Sequence, residues 1–249
     1  MTKQHLCCIF NIMKKLIKDQ EGILKALADK IDDFYLTGGT ALSLFYFHHR
    51  QSEDLDFFTQ KFDRSRANKI MEDLSKTLNI KFELIGEQSK KDRARMIVYF
   101  LRLKKDLSLK VDFVEDYLKL TKPPKKINGI FVLSLEDIYL RKIYTITGSG
   151  QTIDFTGRKK IIDGRKEAKD FYDLYCLSHI YGRLSHFVFK YGDAVMREGL
   201  IHWFCTYNRM EMKTGLLELK MDTTADFPII ERHFKKEIDK ILEKEVEFL

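Results

Sequence analysis

One segment of the chain, Tyr35–Thr59, combines the turn, helix and strand signals that most constrain its fold. The segment reads YLTGGTALSLFYFHHRQSEDLDFFT. Its apolar start predicts a strand over Phe34–Leu36, and the glycine pair Gly38–Gly39 predicts a turn. Helical spacing follows over Ala41–His48, and a second strand is predicted over Leu55–Phe58. A strand–turn–helix–strand unit of this kind indicates a mixed α/β fold.

Two aspartates at the start of the second strand, Asp54 and Asp56, are spaced so that their carboxylates face the same side. Leu55 lies between them and points the other way, toward a core. Side-by-side like charges are unfavourable unless a cation lies between them, and oxygen ligands of this type suit Mg²⁺. The glycine turn offers backbone N–H groups to a phosphate at the start of the helix. Metal-binding carboxylates beside a phosphate site are typical of nucleotide chemistry.

These motifs resemble those of the AbiEii family of nucleotidyltransferase toxins, a branch of the DNA polymerase β-like nucleotidyltransferase superfamily. Gly38–Leu42 is similar to the Gly-Gly-Thr-Ala-Leu segment of the family, His49–Arg50 to its His-Arg pair, and Ser52–Phe58 to its Ser-x-Asp-x-Asp-Phe-Phe segment. The resemblance spans Phe34–Leu177. It implies a nucleotidyltransferase fold of the α/β (α+β) class, with a small mixed sheet flanked by helices and a helical C-terminal region.

A third carboxylate of interest, Asp112, lies in a strand predicted over Leu107–Val114. A strand aspartate in apolar surroundings needs a partner, because an unpaired buried charge is costly. On spacing alone, a salt bridge to a lysine or arginine is the favoured interpretation, and Glu115 and Asp116 are nearby alternatives. The resemblance implies that Asp112 is the third catalytic aspartate, which the superfamily places on such a later strand.

The resemblance also implies a chemistry. Two Mg²⁺ ions held by Asp54, Asp56 and Asp112 would assist the transfer of a nucleoside monophosphate from an NTP to an acceptor hydroxyl, with release of pyrophosphate. Asp112 would also accept the proton of that hydroxyl. The residues expected to bind the nucleotide are Gly38, Gly39, Thr40, Arg50, Lys142, Arg165, Lys169 and Asp170.

Four of these residues, Lys142, Arg165, Lys169 and Asp170, are selected by C-terminal motifs of the family. Lys142 matches the helical lysine of the family, and Lys169–Leu174 matches its Lys-Asp-x-x-Asp-Leu motif. The family arginine that follows the helical lysine has two candidates here, Arg158 and Arg165, because a Gly-rich insertion intervenes over 148–164. Arg165 is preferred, since it enters the helix that carries Lys169. Asp173 either pairs with Lys169 on the helix surface or positions Lys169 or Arg165.

The remaining chain is predicted to continue the sheet and then to become helical. A Pro-rich, charged segment, Lys119–Lys126, predicts a link between residues 1–120, the nucleotidyltransferase domain, and residues 121–249, a mainly helical region that completes the cleft. Helices are predicted over Phe10–Lys30, Ser65–Thr77, Ser134–Thr147, Arg165–Ile180 and Pro228–Val246, and further strands over Ile80–Ile85 and Ala94–Leu103.

The composition is that of a basic protein with a substantial core. Hydrophobic residues make up 44% of the 249 residues, and the net charge is +7 with a pI of about 9.0. This charge is compatible with a polyanionic partner. The four cysteines lack zinc-site spacing, and no signal peptide or long apolar span is evident, which predicts a cytoplasmic protein without a membrane segment.

The family resemblance implies that the protein is the toxin of a toxin–antitoxin or phage-exclusion pair, with an antitoxin partner and the 3′ end of tRNA as its acceptor. Two alternatives are a nucleotidyltransferase that modifies a small molecule, of the antibiotic-modifying type, and a nucleotide- or antitoxin-binding module without turnover. No motif reads a base edge, so the sequence does not specify which NTP is the donor.

Overall fold

The computed structural model describes residues 19–90, 93–104, 107–148, 151–153, 159–161, 164–219, 221 and 226–247. The chain divides into two compact units, the first ending at Ser134 and the second beginning at Leu135. Within the described residues, no helix is long and apolar enough to cross a membrane.

The first unit is built on a seven-stranded mixed sheet. Its strands are β1 (Tyr35–Thr37), β2 (Asp54–Thr59), β3 (Lys81–Gln88), β4 (Met96–Lys104), β5 (Leu107–Glu115), β6 (Lys125–Ile127) and β7 (Ile130–Val132). They lie in the order β3-β4-β5-β2-β1-β7-β6, with β2 parallel to β5, β1 parallel to β7 and the other neighbours antiparallel. This confirms the predicted mixed α/β class.

Three helical segments accompany this sheet. Residues 19–27 are helical (α1), and the rest of the predicted leading helix before residue 19 lies outside the described residues. Helix α2 (Gly38–Ala41) continues into a π-helical turn, Leu42–Tyr46. Helix α3 (Arg64–Leu78) begins at a capping aspartate, Asp63, whose side chain accepts a hydrogen bond from the Ser65 amide at 2.8 Å.

The core of the first unit lies against one face of β2 and β5. Phe57 and Phe113 are fully buried and stack with their ring centroids 5.7 Å apart, while Phe34 meets Phe113 edge-on at 5.0 Å. Because alternate residues of a strand point to opposite faces, the residues next to these rings are directed away from this core. Asp56 and Asp112 are among them.

The sheet extends further along the chain than the sequence patterns predicted. The charged segment Lys119–Lys126 leads directly into β6, and a tight hairpin at Asn128–Gly129 joins β6 to β7. Both turn residues have positive φ angles, 52° and 79°, which is the geometry that an Asn-Gly pair favours. This hairpin was readable from its Asn-Gly signal, and the prediction missed it.

The second unit is mainly helical. Its elements are α4 (Leu135–Thr147), a small hairpin of β8 (Gln151–Ile153) and β9 (Lys159–Ile161), α5 (Ala168–Cys176) with a following π-helical turn (Leu177–Tyr181), α6 (Leu184–Tyr191), α7 (Ala194–Thr206), α8 (Arg209–Glu218) and α9 (Phe227–Glu247). Phe171 of α5 packs against Trp203 of α7 and Phe234 of α9, with centroid distances of 6.0 and 5.0 Å. Helix α5 begins after Arg165, which therefore precedes the helix that it was predicted to enter.

A buried carboxylate, Glu237 of α9, stabilises the start of α6. It is fully buried and accepts hydrogen bonds from the Ser185 amide at 3.0 Å and the Ser185 hydroxyl at 2.7 Å. Lys240 lies 3.1 Å away. Burial acts to raise the pKa of Glu237, but the bonds from Ser185 and Lys240 outweigh it and lower the pKa from 4.5 to about 2. The carboxylate thus complements the positive end of a short helix.

The turn from β1 into α2 requires glycine at position 38. Gly38 has a φ of 70°, a conformation that residues with a side chain rarely adopt. A Cβ atom built there would collide with the carboxylate of Asp56, which lies beside Thr37 in the antiparallel pairing of β1 with β2. The backbone of the turn is therefore close enough to Asp56 that any side chain at position 38 would displace it.

We expect Glu237→Gln to lower the free energy of unfolding by about 2 kcal/mol at pH 7, because an amide places a donor against the Ser185 amide. Since the folded-state pKa lies below the ordinary value, the stabilisation is present above about pH 4.5 and is lost as the pH falls toward 2. Urea denaturation at several pH values should show the two proteins converging in acid. Asp239→Asn, which removes an exposed pair with Lys235 on the same helix, is the control and should change little.

We expect Gly38→Ala to destabilise the first unit by about 1–3 kcal/mol, because it adds a strained φ and a collision with Asp56. Gly22→Ala is the matched control: a Cβ there meets no atom within 4 Å, and alanine favours the helix α1. Urea denaturation of both variants measures the difference. Equal stability of the two variants would contradict the close approach of the turn to Asp56.

Candidate active site

The candidate site lies on the face of β2 and β5 opposite the aromatic core. In their parallel pairing, Asp56 is the partner of Asp112 and Asp54 is the partner of Lys110. Since residues two apart share a face, these four side chains start from one side of the sheet. The structure therefore brings together the three aspartates that the sequence predicted, and it adds a lysine that the sequence analysis did not select.

Lys110 is the direct partner of the third aspartate. Its ammonium lies 2.5 Å from Oδ2 of Asp112, whose side chain is 10% exposed, whereas the Lys110 side chain is 34% exposed. The salt bridge favoured for Asp112 on spacing alone is thus present. The signal for Lys110 was its position two residues before Asp112 in the same strand, which places both on one face.

The charges of this face act together on Lys110. Burial lowers the pKa of the Lys110 ammonium, but the hydrogen bond to Asp112 and the attraction of Asp112, Asp54 and Asp56 outweigh it, so its pKa is above the ordinary 10.5. The ammonium is therefore held in its charged form by all three carboxylates.

The donor set has the chemistry that a hard divalent cation requires, since carboxylate oxygens on one face of a sheet suit Mg²⁺. Among the described residues, however, no group of three or more His, Cys, Asp or Glu side chains is close enough together to hold a metal ion. The residues thus fit a metal in type and in position on the sheet. In the structure, where Lys110 contacts Asp112, the carboxylates of these residues are not gathered around one point.

The two acidic alternatives to Asp112 have other partners. Glu115 pairs with Arg95, with Oε1 and Nη2 2.6 Å apart, and this pair lowers the pKa of Glu115. Asp116 accepts hydrogen bonds from the Tyr35 hydroxyl and, at 3.2 Å, from the Leu118 amide. These contacts tie Glu115 and Asp116 to the end of the sheet. Of the three, Asp112 is the one paired with Asp56 in the sheet register.

Three of the residues expected to hold the phosphates, Gly38, Gly39 and Thr40, lie at the start of α2. Gly39 and Thr40 are buried, and the Thr40 hydroxyl donates a hydrogen bond to the backbone carbonyl of Asp54. This bond ties the turn to the start of β2. Arg50 is also buried, with 7% exposure, and its Nη1 donates to the Gln51 carbonyl at 2.8 Å.

The second unit contains a separate buried charge network. The ammonium of Lys142, on α4, lies 2.9 Å from Oδ1 of Asp170 and 2.6 Å from Oδ2 of Asp173, both on α5. Both aspartates are fully buried, and the Lys142 side chain is 7% exposed. Charges of this kind persist in a protein interior when they are paired. The network therefore fixes α4 against α5.

Arg165, which precedes α5 in the chain, is a further member of this network. Its Nε and Nη2 lie 2.5 and 2.8 Å from the two carboxylate oxygens of Asp170, and its side chain is 42% exposed. Burial acts to raise the pKa of Asp170, but Lys142 and Arg165 outweigh it and lower that pKa. Of the two arginine candidates, Arg165 is the one among the described residues; Arg158 lies outside them.

The structure corrects one interpretation of the C-terminal motif. Lys169 and Asp173 do not form a surface pair, because Asp173 is fully buried against Lys142. Lys169 instead lies 3.2 Å from Glu167 and is 35% exposed. Spacing within one helix could not predict this, since the partner of Asp173 belongs to a helix far away in the sequence.

The fold is shared with solved structures from Helicobacter pylori. A protein assigned to the nucleotidyltransferases has a TM-score of 0.55 and 18% identity, with 100% of this chain and 99% of that chain covered. The JHP933 protein has a TM-score of 0.51 and 19% identity, with 100% and 97% covered. At this level of identity the likeness concerns the fold alone.

Sequence relationships are more specific. The uncharacterized protein aq_aa25 of Aquifex aeolicus (strain VF5) is 31% identical over 177 residues, which cover 68% of this chain and 70% of that protein. The family model described as nucleotidyl transferase AbiEii toxin, of type IV toxin–antitoxin systems, matches residues 22–247. The chain therefore belongs to the AbiEii family of toxins and is a nucleotidyltransferase.

Proposed function

We propose that this nucleotidyltransferase toxin uses Mg²⁺ to transfer a nucleoside monophosphate from an NTP to the 3′ end of tRNA. The observation that carries the proposal is the register of β2 and β5, which sets Asp56 beside Asp112 and places Asp54 on the same face. Three carboxylates on one face, away from the core, have the donor chemistry that nucleotidyl transfer needs.

The reaction joins an acceptor hydroxyl to the α-phosphate. The hydroxyl oxygen attacks the α-phosphorus, the bond to the β-phosphate oxygen breaks, and pyrophosphate leaves with that bonding pair. Asp112 is positioned to accept the hydroxyl proton. When bound by Asp54, Asp56 and Asp112, Mg²⁺ supplies positive charge to the triphosphate and lowers the pKa of the attacking hydroxyl.

The first unit supplies further groups for the triphosphate. Gly38 presents backbone rather than a side chain next to Asp56. We assign the Gly38–Gly39 turn to bind the triphosphate through its backbone N–H groups. Arg50 is the nearest cationic residue in the sequence to both motifs, and we assign it to neutralise the leaving pyrophosphate.

In the second unit, Arg165 is the group suited to contact substrate. Its guanidinium is held by both oxygens of Asp170 and remains partly exposed. A guanidinium fixed in this way is oriented before substrate binds, which lowers the entropic cost of the contact. Lys142 and Asp173 then act as positioning residues, because they hold Asp170 in place from the interior. Lys169, which is partly exposed, is a second cation for the nucleotide.

The proposed acceptor and protein partner follow from charge and family. A net charge of +7 favours a polyanionic acceptor such as tRNA over a small neutral molecule. A toxin of a type IV toxin–antitoxin system implies a cognate antitoxin, and we propose that one exists for this chain.

We expect label from one of the four α-labelled NTPs to appear on tRNA-sized RNA when purified protein, Mg²⁺ and total tRNA are incubated together and separated on a denaturing gel. Periodate oxidation, which converts the terminal 2′,3′-diol of tRNA to a dialdehyde and so eliminates the 3′ hydroxyl, should abolish labelling. Pyrophosphate release with a small-molecule pool, and none with RNA, would favour the small-molecule alternative. NTP binding without pyrophosphate release from any pool would favour a binding module.

We expect Asp56→Asn and Asp112→Asn each to reduce the rate of transfer by about a hundredfold or more, because each removes a charged ligand. Glu115→Gln, which alters an exposed pair at the end of β5, is the control and should retain most activity. Circular dichroism checks that all three variants are folded. Full activity in either aspartate variant would overturn the assignment of that residue.

A further inference from the structure

The lysine beside the catalytic carboxylates has no role in the chemistry assigned so far. Lys110 shares the face of Asp54, Asp56 and Asp112, and its ammonium contacts Asp112 at 2.5 Å. We propose that Lys110 is a built-in counter-cation of this site, and that its ammonium must leave Asp112 before a divalent metal ion binds there. The inference rests on the metal dependence in the proposed function.

The position of Lys110 makes this exchange sterically simple. It lies opposite Asp54 across the β2–β5 pairing and two residues before Asp112 on the same strand, so its stem starts within the carboxylate cluster. With 34% of its side chain exposed, the ammonium can move toward solvent without any change in the backbone. Lysine suits this movement because its charge is carried on a flexible, four-carbon stem and is strongly hydrated.

The charges of the site supply the reason for the exchange. Three carboxylates on one face repel one another, and an ammonium among them relieves part of that repulsion. A metal ion would relieve it more strongly, and a metal ion that binds Oδ2 of Asp112 would compete for that oxygen with the ammonium, which contacts it at 2.5 Å. The ammonium would also repel a divalent ion that binds beside it. The Lys110–Asp112 ion pair is therefore lost when a metal ion binds.

The arrangement of the carboxylates is consistent with this competition. Within the described residues, no three acidic, histidine or cysteine side chains are gathered closely enough to hold a metal ion. The sheet register nevertheless places Asp56 and Asp112 next to each other. The Lys110 ammonium occupies Oδ2 of Asp112, so that oxygen becomes available to a metal ion when the ammonium leaves.

The test is metal binding in the absence of nucleotide and acceptor. We expect Lys110→Met to bind Mn²⁺ about tenfold more tightly than the natural chain in calorimetric titration, because a repelling and competing charge has been removed. In EDTA the variant should melt at a lower temperature than the natural chain, and added Mn²⁺ should raise its melting temperature by more. Lys110→Arg, which keeps the charge, should bind Mn²⁺ no more tightly than the natural chain.

Arg102→Met is the control for net charge alone. It removes one positive charge from an exposed pair with Glu83 on the β3–β4 edge of the same sheet, and it should leave Mn²⁺ affinity unchanged. Lys110→Gln provides a second neutral variant if Lys110→Met does not fold. Both neutral variants should bind alike.

Two results would overturn the inference, and they are distinguishable. If folded Lys110→Met and Lys110→Gln bind Mn²⁺ as the natural chain does, or more weakly, Lys110 does not compete with metal, and the proposed transfer reaction still stands. If neither the natural chain nor Asp112→Asn shows any Mn²⁺ binding while RNA is still labelled in EDTA, the metal dependence itself is wrong, and the inference falls with it.

Discussion

The parallel pairing of β2 with β5 determines both the core and the candidate site of the first unit. This register lets Phe57 and Phe113 pack against each other on one face of the sheet. The same register sets Asp56 beside Asp112 on the other face. A shift of β2 by one residue would direct its aspartates into the aromatic core and expose Phe57, at the cost of buried charge and lost apolar burial. The burial of the aromatic rings therefore specifies the alignment of the candidate-site carboxylates, and the site needs no separate device to align them.

Each unit concentrates charge, and each balances it with a lysine that contacts aspartates. In the first unit the Lys110 ammonium is attracted by three carboxylates, and the Gly38 turn approaches one of them, Asp56, closely. In the second unit Lys142 and Arg165 balance Asp170 and its neighbouring aspartate within hydrogen-bond distance. Paired buried charges seldom stabilise a fold more than apolar residues of similar size would. Stability alone therefore does not account for their presence in both units.

The sequence predicted the elements whose signal is local. Two elements were located to within about two residues of their observed limits, the strand predicted over Leu107–Val114 and the helix predicted over Ser65–Thr77. In both, the spacing of the apolar residues matches the repeat of the element, and these residues form its buried face. The shared face of Asp54 and Asp56 follows from the period of a strand.

Contacts between distant segments were not predictable in this way. Neither reading of Asp173, as a surface partner of Lys169 or as a residue that positions Lys169 or Arg165, included its contact with Lys142, because helix packing brings that lysine to it. Lys110 could have been selected, since it shares the strand face of Asp112, but a lysine two residues from an aspartate is common and carries no signal alone.

The two lysines differ in a way that separates exchangeable charge from fixed charge. Lys142 is enclosed by two fully buried aspartates, so moving its ammonium would remove an ion pair from both carboxylates in a protein interior at a cost of several kcal/mol. Lys110 contacts a largely buried aspartate from a partly exposed position, so its ammonium can move toward solvent. The first arrangement resists rearrangement and suits a residue that orients others. The second permits the replacement of one cation by another, which is what a site must do if it is stable without metal and reactive with it.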